Sequence, residues 1–172
     1  MTWDEELRSI DELLRPERMF EGSCDFLRAW ELLLAYRDNP AVRENRAFVP
    51  IQARATCASM ALELALKSLI TYEKKDPVLS HSFSRLFKQV LPRTKREMAS
   101  LVPLDGRPTT VEGLSEALKR CAGTFETWRY AHEHRDLDFH EAYIIDTTKA
   151  VQEIIMRRHP ECRGVAGRYL GK

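Results

Sequence analysis

Hydrophobic residues recur at steps of three and four along most of the chain, and this spacing predicts helices. A segment in the second half shows the pattern clearly, with apolar or core-facing residues at Leu114, Leu118, Cys121, Phe125 and Trp128. The alternation of β-branched and polar residues that is typical of strands is absent, and glycine accounts for 7 of 172 residues. The sequence therefore predicts an all-α fold, a single-domain bundle of about five to seven helices.

Turn and capping signals place the helix ends. Thr109 with Glu112, and Asp138 with Glu141, have the spacing of a capping box at a helix start. The clearest loop covers residues 103–108. The predicted helices cover about residues 3–14, 23–37, 50–72, 82–91, 94–102, 109–133 and 138–158.

The helix over residues 50–72 is expected to lie at the centre of the bundle, because it is apolar on nearly every face between Cys57 and Ile70. We expect the helices around residues 114–128 and 143–155 to pack against it. The side chains expected to be almost fully buried are Leu62, Leu66, Leu69, Leu118, Phe125 and Ile154.

One narrow polar stripe interrupts the apolar surface of this central helix. Its residues are Thr56, Ser59, Glu63 and Lys67. One interpretation is a solvated strip with a Glu63–Lys67 ion pair one turn apart, worth about 0.2–0.5 kcal/mol. The other interpretation is the lining of a cleft, where the same charges face a ligand.

Composition and charge place no domain boundary in the chain. We expect one domain over residues 1–172, with N-terminal helices over 1–45, a core over 48–158 and a basic tail over 159–172. The tail can form a basic patch, although a solvated and poorly ordered end is more typical of a terminus. The net charge of +1, from 27 basic and 26 acidic residues, gives no general attraction to nucleic acid or membranes.

The four cysteines predict thiols rather than a metal site. They show no Cys-x-x-Cys spacing, and Cys24, Cys57 and Cys121 lie in apolar segments where buried free thiols are usual. Reduced thiols, together with the lack of a secretory signal pattern, predict a cytoplasmic protein. No apolar run is long enough to span a membrane, so no membrane association is predicted.

Polar side chains are concentrated between Phe125 and His140, where the apolar spacing stops. An alternating run within this stretch has the residue types of a metal site, namely His132, His134, Asp136, Asp138 and His140. Alternate residues point to one side only on an extended chain, so we predict no metal site, and no cofactor is predicted. His81 lies at a predicted helix start, where it can cap or pack the helix or take a functional role.

Residues 48–70 form a long predicted helix in which Glu63 and Lys67 have the spacing Glu-x-x-x-Lys. This block resembles the long helix of the HEPN superfamily of small helical domains, and two further blocks also resemble that family. Residues 80–87, Ser-His-Ser-Phe-Ser-Arg-Leu-Phe, resemble the Gly-His-Asp-Leu-x-x-Leu-Phe of one branch. Residues 125–133, which contain Trp-Arg-Tyr-Ala-His-Glu, resemble that branch's Trp-Arg-Tyr-x-x-Glu.

The resemblance implies a HEPN-like fold and a metal-independent endoribonuclease of the toxin or phage-defence type. It also implies a homodimer with a shared cleft, RNA as the substrate, and an antitoxin or other partner protein. The family's ribonuclease signature is an Arg followed by a His after four to six residues, and Arg129 and His134 match it. Arg129 would bind the scissile phosphate and His134 would transfer a proton. The supporting residues would be Tyr130, His132, Glu133, Glu63, Lys67 and His81.

Helix geometry keeps a second interpretation of this site open. Successive helical residues turn by about 100°, so Arg129 and His134 would point about 140° apart unless the helix ends near Glu133. Arg129 also shares a helix face with Glu126 and Glu133, which favours a structural salt bridge. The alternative function is a non-catalytic HEPN-like module that binds a nucleotide, RNA or a partner protein.

Overall fold

The computed structural model of the chain describes residues 15–40, 51–76, 78–104, 107–121 and 141–169. Within these ranges the chain forms seven helices and one short antiparallel pairing of two-residue strands. The helices are α1 (Pro16–Asp38), α2 (Ile51–Lys74), α3 (Phe83–Gln89), α4 (Pro92–Leu101), α5 (Val111–Arg120), α6 (Glu141–Arg158) and α7 (Cys162–Tyr169). The strands are β1 (Pro103–Leu104) and β2 (Arg107–Pro108). The predicted all-α class is confirmed.

The long helix α2 is the centre of the bundle, as predicted. Its most extensive contacts are with α1, followed by α6. Small residues make the close approach of α1 feasible: Ala58, Ala61 and Ala65 are fully buried. A Cβ atom added at Gly22 of α1 would meet Leu64 Cδ1 at 3.1 Å, so glycine suits this crossing point.

The core contains the leucine and isoleucine side chains that the sequence predicted. Leu62, Leu66, Leu118 and Ile154 are fully buried, and Leu69 is 1% exposed. Phe125 lies outside the described residues. The helix around residues 114–128 was expected to pack onto α2; its described part, α5, packs mainly against α3 and α4, and residues 122–128 lie outside the described residues.

A buried hydrogen-bond chain joins the three main helices of the core. Gln152 Nε2 of α6 donates to Ser23 Oγ of α1 over 2.9 Å, and Ser23 Oγ donates to the Ala61 carbonyl oxygen of α2 over 2.8 Å. Ser23 is fully buried and Gln152 is 5% exposed. The hydroxyl therefore serves both as donor and as acceptor inside the apolar core, and it fixes the register of α1, α2 and α6.

The predicted start of α1 at about residue 23 is wrong. The helix begins at Pro16, whose missing N–H costs nothing at a first helical position. The additional turns bury Met19 and Phe20. The predicted helix over residues 3–14 lies outside the described residues.

The cap of α5 differs by one residue from the predicted one. Gly113 N donates to Thr110 Oγ1 over 3.0 Å, so Thr110 rather than Thr109 is the N-cap. The predicted loop over 103–108 contains the pairing of β1 with β2, in which Pro103 lies opposite Pro108.

The interpretation of the tail as a poorly ordered end is wrong for residues 162–169. They form α7, which packs against α1. Cys162 and Ala166 are its buried residues, at 1% and 3% exposure. The Cys162 Sγ lies 3.2 Å from the Tyr72 hydroxyl of α2, so the tail helix closes over the end of the long helix.

None of the helices in the described ranges is long and apolar enough to cross a membrane.

Candidate functional site

Glu63 of the long helix α2 holds two other polar side chains that the sequence singled out. Lys67 Nζ donates to Glu63 Oε1 over 2.7 Å, one turn later on the same helix. His81 Nδ1 lies 2.9 Å from the same oxygen. We call Glu63, Lys67 and His81 the Glu63 cluster.

The three members of the Glu63 cluster differ strongly in exposure. The Glu63 side chain is 4% exposed and the Lys67 side chain 13%, whereas the His81 side chain is 65% exposed. A buried carboxylate is costly unless it is paired and hydrogen-bonded. Here the ammonium and the imidazole provide those partners, and the imidazole forms the outer surface of the cluster.

Two of the four residues of the polar stripe of α2 are buried and the other two, Thr56 and Lys67, are partly exposed, so its interpretation as a solvated strip is wrong at Ser59 and Glu63. Ser59 is 1% exposed and Glu63 3%. The Glu63–Lys67 ion pair that accompanied that interpretation does form. Ser59 Oγ, one turn before Glu63, is buried and has no hydrogen-bond partner in the described structure. A buried hydroxyl without a partner is unusual in a folded core.

His81 is placed by apolar anchors on both sides of a short connecting segment. Val78 before it is 5% exposed and Phe83 after it is 2% exposed. Ser82 is the N-cap residue of α3, and its backbone N donates to Ser80 Oγ over 3.3 Å. Val78 and Phe83 are both buried in the core, and the short segment between them places the His81 imidazole next to Glu63.

The geometry of the Glu63 cluster suits proton transfer. With the proton on Nδ1, the imidazole donates to the Glu63 carboxylate, and Nε2 carries a lone pair that can accept a proton. With both nitrogens protonated, the ring forms an ion pair with Glu63 and can donate a proton from Nε2. A base oriented by a carboxylate is a recurring arrangement in acid–base catalysis.

The predicted catalytic residues Arg129 and His134 lie outside the described residues, and so do Tyr130, His132 and Glu133. Their roles stay predictions. Among the described residues, no three His, Cys, Asp or Glu side chains are grouped so that they could bind a metal ion.

Two ionic groups of the structure have no signal in the sequence. Arg54 of α2 binds the Glu141 carboxylate of α6, and Trp30 Nε1 donates to the other oxygen of Glu141 over 2.6 Å. Arg54 and Glu141 are 87 positions apart, and Trp30 and Glu141 are 111 positions apart, so no local spacing pattern predicts these contacts.

The second of these groups surrounds Glu73 near the end of α2. Arg158 Nη1 of α6 donates to Glu73 Oε1 over 3.1 Å and to Thr94 Oγ1 over 2.9 Å. Leu91 N donates to Glu73 Oε2 over 3.0 Å. Arg158 Nη2 donates to Glu97 Oε2 over 2.5 Å. This network attaches α4 to α2 and α6, and we attribute a structural role to it.

Burial disfavours the thiolate form of three cysteines, and therefore a nucleophilic role. Desolvation raises the pKa of Cys24 to about 12, and it raises the pKa of Cys57 and that of Cys162 as well. A nucleophilic cysteine needs a lowered pKa. Cys24 and Cys121 are buried, as predicted, while Cys57 is partly exposed.

Comparison of the sequence with protein-family models gives no match, and comparisons with curated proteins and with solved structures give none either.

Proposed function

We propose that this chain is a HEPN-like helical domain that cleaves RNA without a metal ion, as a toxin-type or phage-defence endoribonuclease. The observation that carries the proposal is the Glu63 cluster, in which a buried carboxylate of the long helix holds an ammonium group and an exposed imidazole. Cleavage of RNA without a metal requires proton transfer near neutral pH, and an imidazole is the side chain suited to it.

In this proposal Arg129 and His134 are the catalytic pair, as in the Arg-x4-His signature that the sequence resembles. The Arg129 guanidinium binds the scissile phosphate and stabilises the charge that develops on it. His134 exchanges a proton with the ribose 2′-hydroxyl or with the leaving oxygen. The 2′-hydroxyl is itself the nucleophile, so the reaction needs no metal ion.

The proposal includes the assembly and the location of the protein. Two copies form a homodimer that brings residues 129–140 of each copy close to the twofold axis, so that one cleft contains two Arg129/His134 pairs. Tyr130, His132 and Glu133 support that cleft. A partner protein of the antitoxin type would block it, and an RNA substrate would place the enzyme in the cytoplasm.

The test is cleavage of total RNA by the purified protein in the presence of EDTA. We expect cleavage that resists the chelator and is lost in both Arg129→Ala and His134→Ala, because each variant removes one half of the catalytic pair. Arg120→Ala is the matched control, since Arg120 is an exposed arginine at the end of α5. Cleavage by wild type that EDTA abolishes, or no cleavage at all, would reject the ribonuclease proposal.

The second candidate function is a non-catalytic HEPN-like module that binds RNA, a nucleotide or a partner protein. It is favoured by the pairing of buried cations with carboxylates, Lys67 with Glu63 and Arg54 with Glu141, which leaves these cations less available to a phosphate. Binding of a fluorescent RNA without any cleavage would support this function. The slope of affinity against salt concentration would then give the number of phosphate contacts.

A further inference from the structure

We propose that the outer side of α3 and α4 is a binding surface for the phosphates of single-stranded RNA. Five cations within residues 78–96 define this surface, which we call the basic face: Arg85, Lys88, Arg93, Lys95 and Arg96. The choice of RNA as the nucleic acid rests on the proposed ribonuclease function. Phosphate binding by the basic face does not rest on it, because it needs no catalytic group.

The charge of this segment differs from that of the rest of the chain. Five of the 27 basic residues lie in residues 78–96, and none of the 26 acidic residues does. The remainder of the chain therefore has a net negative charge, although the whole chain is nearly neutral at +1. A local excess of positive charge attracts polyanions even when the net charge of the protein does not.

The cations of the basic face are accessible because the opposite sides of both helices are buried. The buried sides consist of Phe83, Leu86 and Phe87 of α3 and Thr94, Met98 and Ala99 of α4. The exposed cations are Arg85, Lys88, Arg93 and Arg96. Lys95 Nζ of α4 donates to the Lys88 carbonyl oxygen of α3 over 3.0 Å and lies 5.4 Å from the centre of the Phe87 ring. The cations of the two helices therefore border each other at Lys88 and Lys95.

The positive charge of the basic face is not compensated by carboxylates. Among the residues that the structure describes, none of its five cations forms an ion pair, whereas Arg28 and Arg168 pair with carboxylates elsewhere on the surface. Glu73 and Glu97, which flank the segment in sequence, are both bound by Arg158 of α6. These two carboxylates are already neutralised, so they do not cancel the field of the basic face.

The uncharged side chains on and beside α3 favour phosphate as the ligand. The partly exposed ones are Ser80, Ser82, Ser84 and Gln89. Hydroxyl and amide groups of this kind, together with arginine and lysine, make most protein contacts to nucleic-acid backbones. A segment that offers donors and no carboxylate is complementary to the oxygen atoms of phosphates.

A membrane or a partner protein fits the basic face less well. Both kinds of partner need exposed apolar or aromatic side chains that lie together. The large apolar residues exposed in this segment are Leu79 and Leu91, and the whole of α3 lies between them in the sequence. Phe83 and Phe87 are each 2% exposed, so neither ring is available to a partner.

The size of the basic face suits a single strand. Helix α3 has 7 residues and α4 has 10, so at a rise of 1.5 Å per residue they are about 10 and 15 Å long. Domains that bind double-stranded RNA span about 16 base pairs, which is longer than either helix. A few consecutive phosphates of one strand match the two short helices better.

The experiment measures the fluorescence anisotropy of a labelled single-stranded RNA whose 2′-oxygens are methylated. Methylation blocks the nucleophile of cleavage, so binding is measured by itself. With five phosphate contacts, the logarithm of the affinity should fall with the logarithm of the salt concentration with a slope of about −3.5, since each contact on a single strand contributes about −0.7. Arg85→Gln/Lys88→Gln/Arg96→Gln should make this slope shallower by about 2, and should lower the affinity at about 0.1 M salt by about 10–100-fold.

Arg18→Gln/Arg28→Gln/Lys149→Gln is the matched control. These three residues are also exposed, they lie on α1 and α6, and their replacement lowers the net charge by the same amount. We expect the control to keep the wild-type salt slope and an affinity within twofold of wild type. Circular dichroism melting curves establish that both triple variants are folded.

The outcomes separate this inference from the proposed function. Salt-dependent RNA binding that only the basic-face variant loses supports the inference, even if wild type cleaves no RNA and the ribonuclease proposal fails. Equal losses in the two triple variants, or no RNA binding by wild type at about 50 mM salt, would overturn the inference. Vesicles containing phosphatidylserine and a polyglutamate peptide are tested in parallel. If the basic-face variant loses binding to one of these while its RNA affinity is unchanged, the surface belongs to a membrane or to an acidic protein, and the inference is wrong.

Discussion

The Glu141 carboxylate, in the first turn of α6, binds the Arg54 guanidinium of α2, although 87 positions separate the two residues. Arg54 is 6% exposed, so its charge lies almost entirely inside the protein. Trp30 Nε1 of α1 donates to the same carboxylate over 2.6 Å. One side chain at the start of α6 thereby connects three helices and compensates a buried charge.

Replacement of Glu141 by alanine should be strongly destabilising. It removes the counter-charge that Glu141 provides for the buried Arg54 guanidinium, which costs about 3–5 kcal/mol. Urea unfolding of Glu141→Ala should show this loss in the free energy of unfolding. The double variant Arg54→Met/Glu141→Leu should recover most of it, because no uncompensated charge remains. A loss below about 1 kcal/mol in Glu141→Ala would mean that water solvates Arg54.

Ser23→Ala should destabilise the protein by about 1–3 kcal/mol, because it leaves the buried Gln152 Nε2 without the acceptor that Ser23 Oγ provides. The Ala61 carbonyl also loses the Ser23 hydroxyl, but it keeps its backbone hydrogen bond within α2. Ser100→Ala is the control, since Ser100 is exposed and its hydroxyl binds only a carbonyl of its own helix. The control should stay within about 0.5 kcal/mol of wild type. Equal stabilities for the two variants would contradict a structural role of the buried chain.

Stability should fall at alkaline pH. Burial raises the pKa of Cys24 from 9.0 to about 12 and that of Tyr143 from 10.0 to about 12. As the pH rises, the unfolded chain therefore loses these protons at a lower pH than the folded protein does. This stabilises the unfolded state relative to the folded state and lowers the free energy of unfolding. The stability contribution is complete below about pH 9 and is lost as the pH rises towards about 12. Urea unfolding midpoints that stay constant between about pH 8 and pH 11 would contradict the predicted loss of stability.

Tyr143→Phe should keep or raise stability at neutral pH. The Tyr143 hydroxyl is buried and has no hydrogen-bond partner in the described structure, and such a group costs about 1–3 kcal/mol. Phenylalanine keeps the ring without that cost, and it removes one of the two groups behind the alkaline loss. Tyr72→Phe is the comparison, because it removes the contact of the Tyr72 hydroxyl with Cys162 Sγ and should be destabilising. A lower melting temperature for Tyr143→Phe would indicate a partner for its hydroxyl.

Thiol labelling should distinguish the cysteines. Cys57 is partly exposed, whereas Cys24 is 5% exposed and has a pKa raised to about 12 by its burial. In native protein at about pH 8, Cys57 should react with a disulfide reagent well before Cys24, because only the thiolate attacks. Mass spectrometry of the labelled chain gives the order. Faster labelling of Cys24 would mean that α1 separates from α7 under native conditions.

Local signals explain which parts of the fold the sequence predicted. The apolar spacing and the flanking turns gave α2 and the C-terminal end of α6 to within about two residues, as expected for strongly periodic helices. Leu62, Leu66 and Ile154 are buried for the same reason. The start of α1 at Pro16 was not predicted, because a proline is equally compatible with the end of one helix and the first position of the next.

The candidate site was predicted in part. The Glu63–Lys67 pair follows from their spacing on one helix, so the sequence predicted it. The contact of His81 with Glu63 spans 18 positions and depends on how the segment before α3 crosses α2. That crossing is fixed by the burial of Val78 and Phe83, a tertiary effect with no local signal. The contact between Arg54 and Glu141 is also a tertiary effect with no local signal, so the sequence did not predict it. The helix over residues 162–169 was missed for the same reason.

The network around Glu73 has a consequence for the nascent chain. Glu73 and Thr94 leave the ribosome well before Arg158, which lies 85 positions after Glu73. Until Arg158 has left the ribosome, the Glu73 carboxylate lacks its guanidinium partner. During this time the face of α2 that α6 later covers is exposed and accessible to chaperones. Helices α1 and α2 can pair early, since Ser23 and Ala61 are 38 positions apart. Synthesis should therefore pass through a helical hairpin with an open apolar side, and translation pauses before residue 158 would prolong the time in which that side can aggregate.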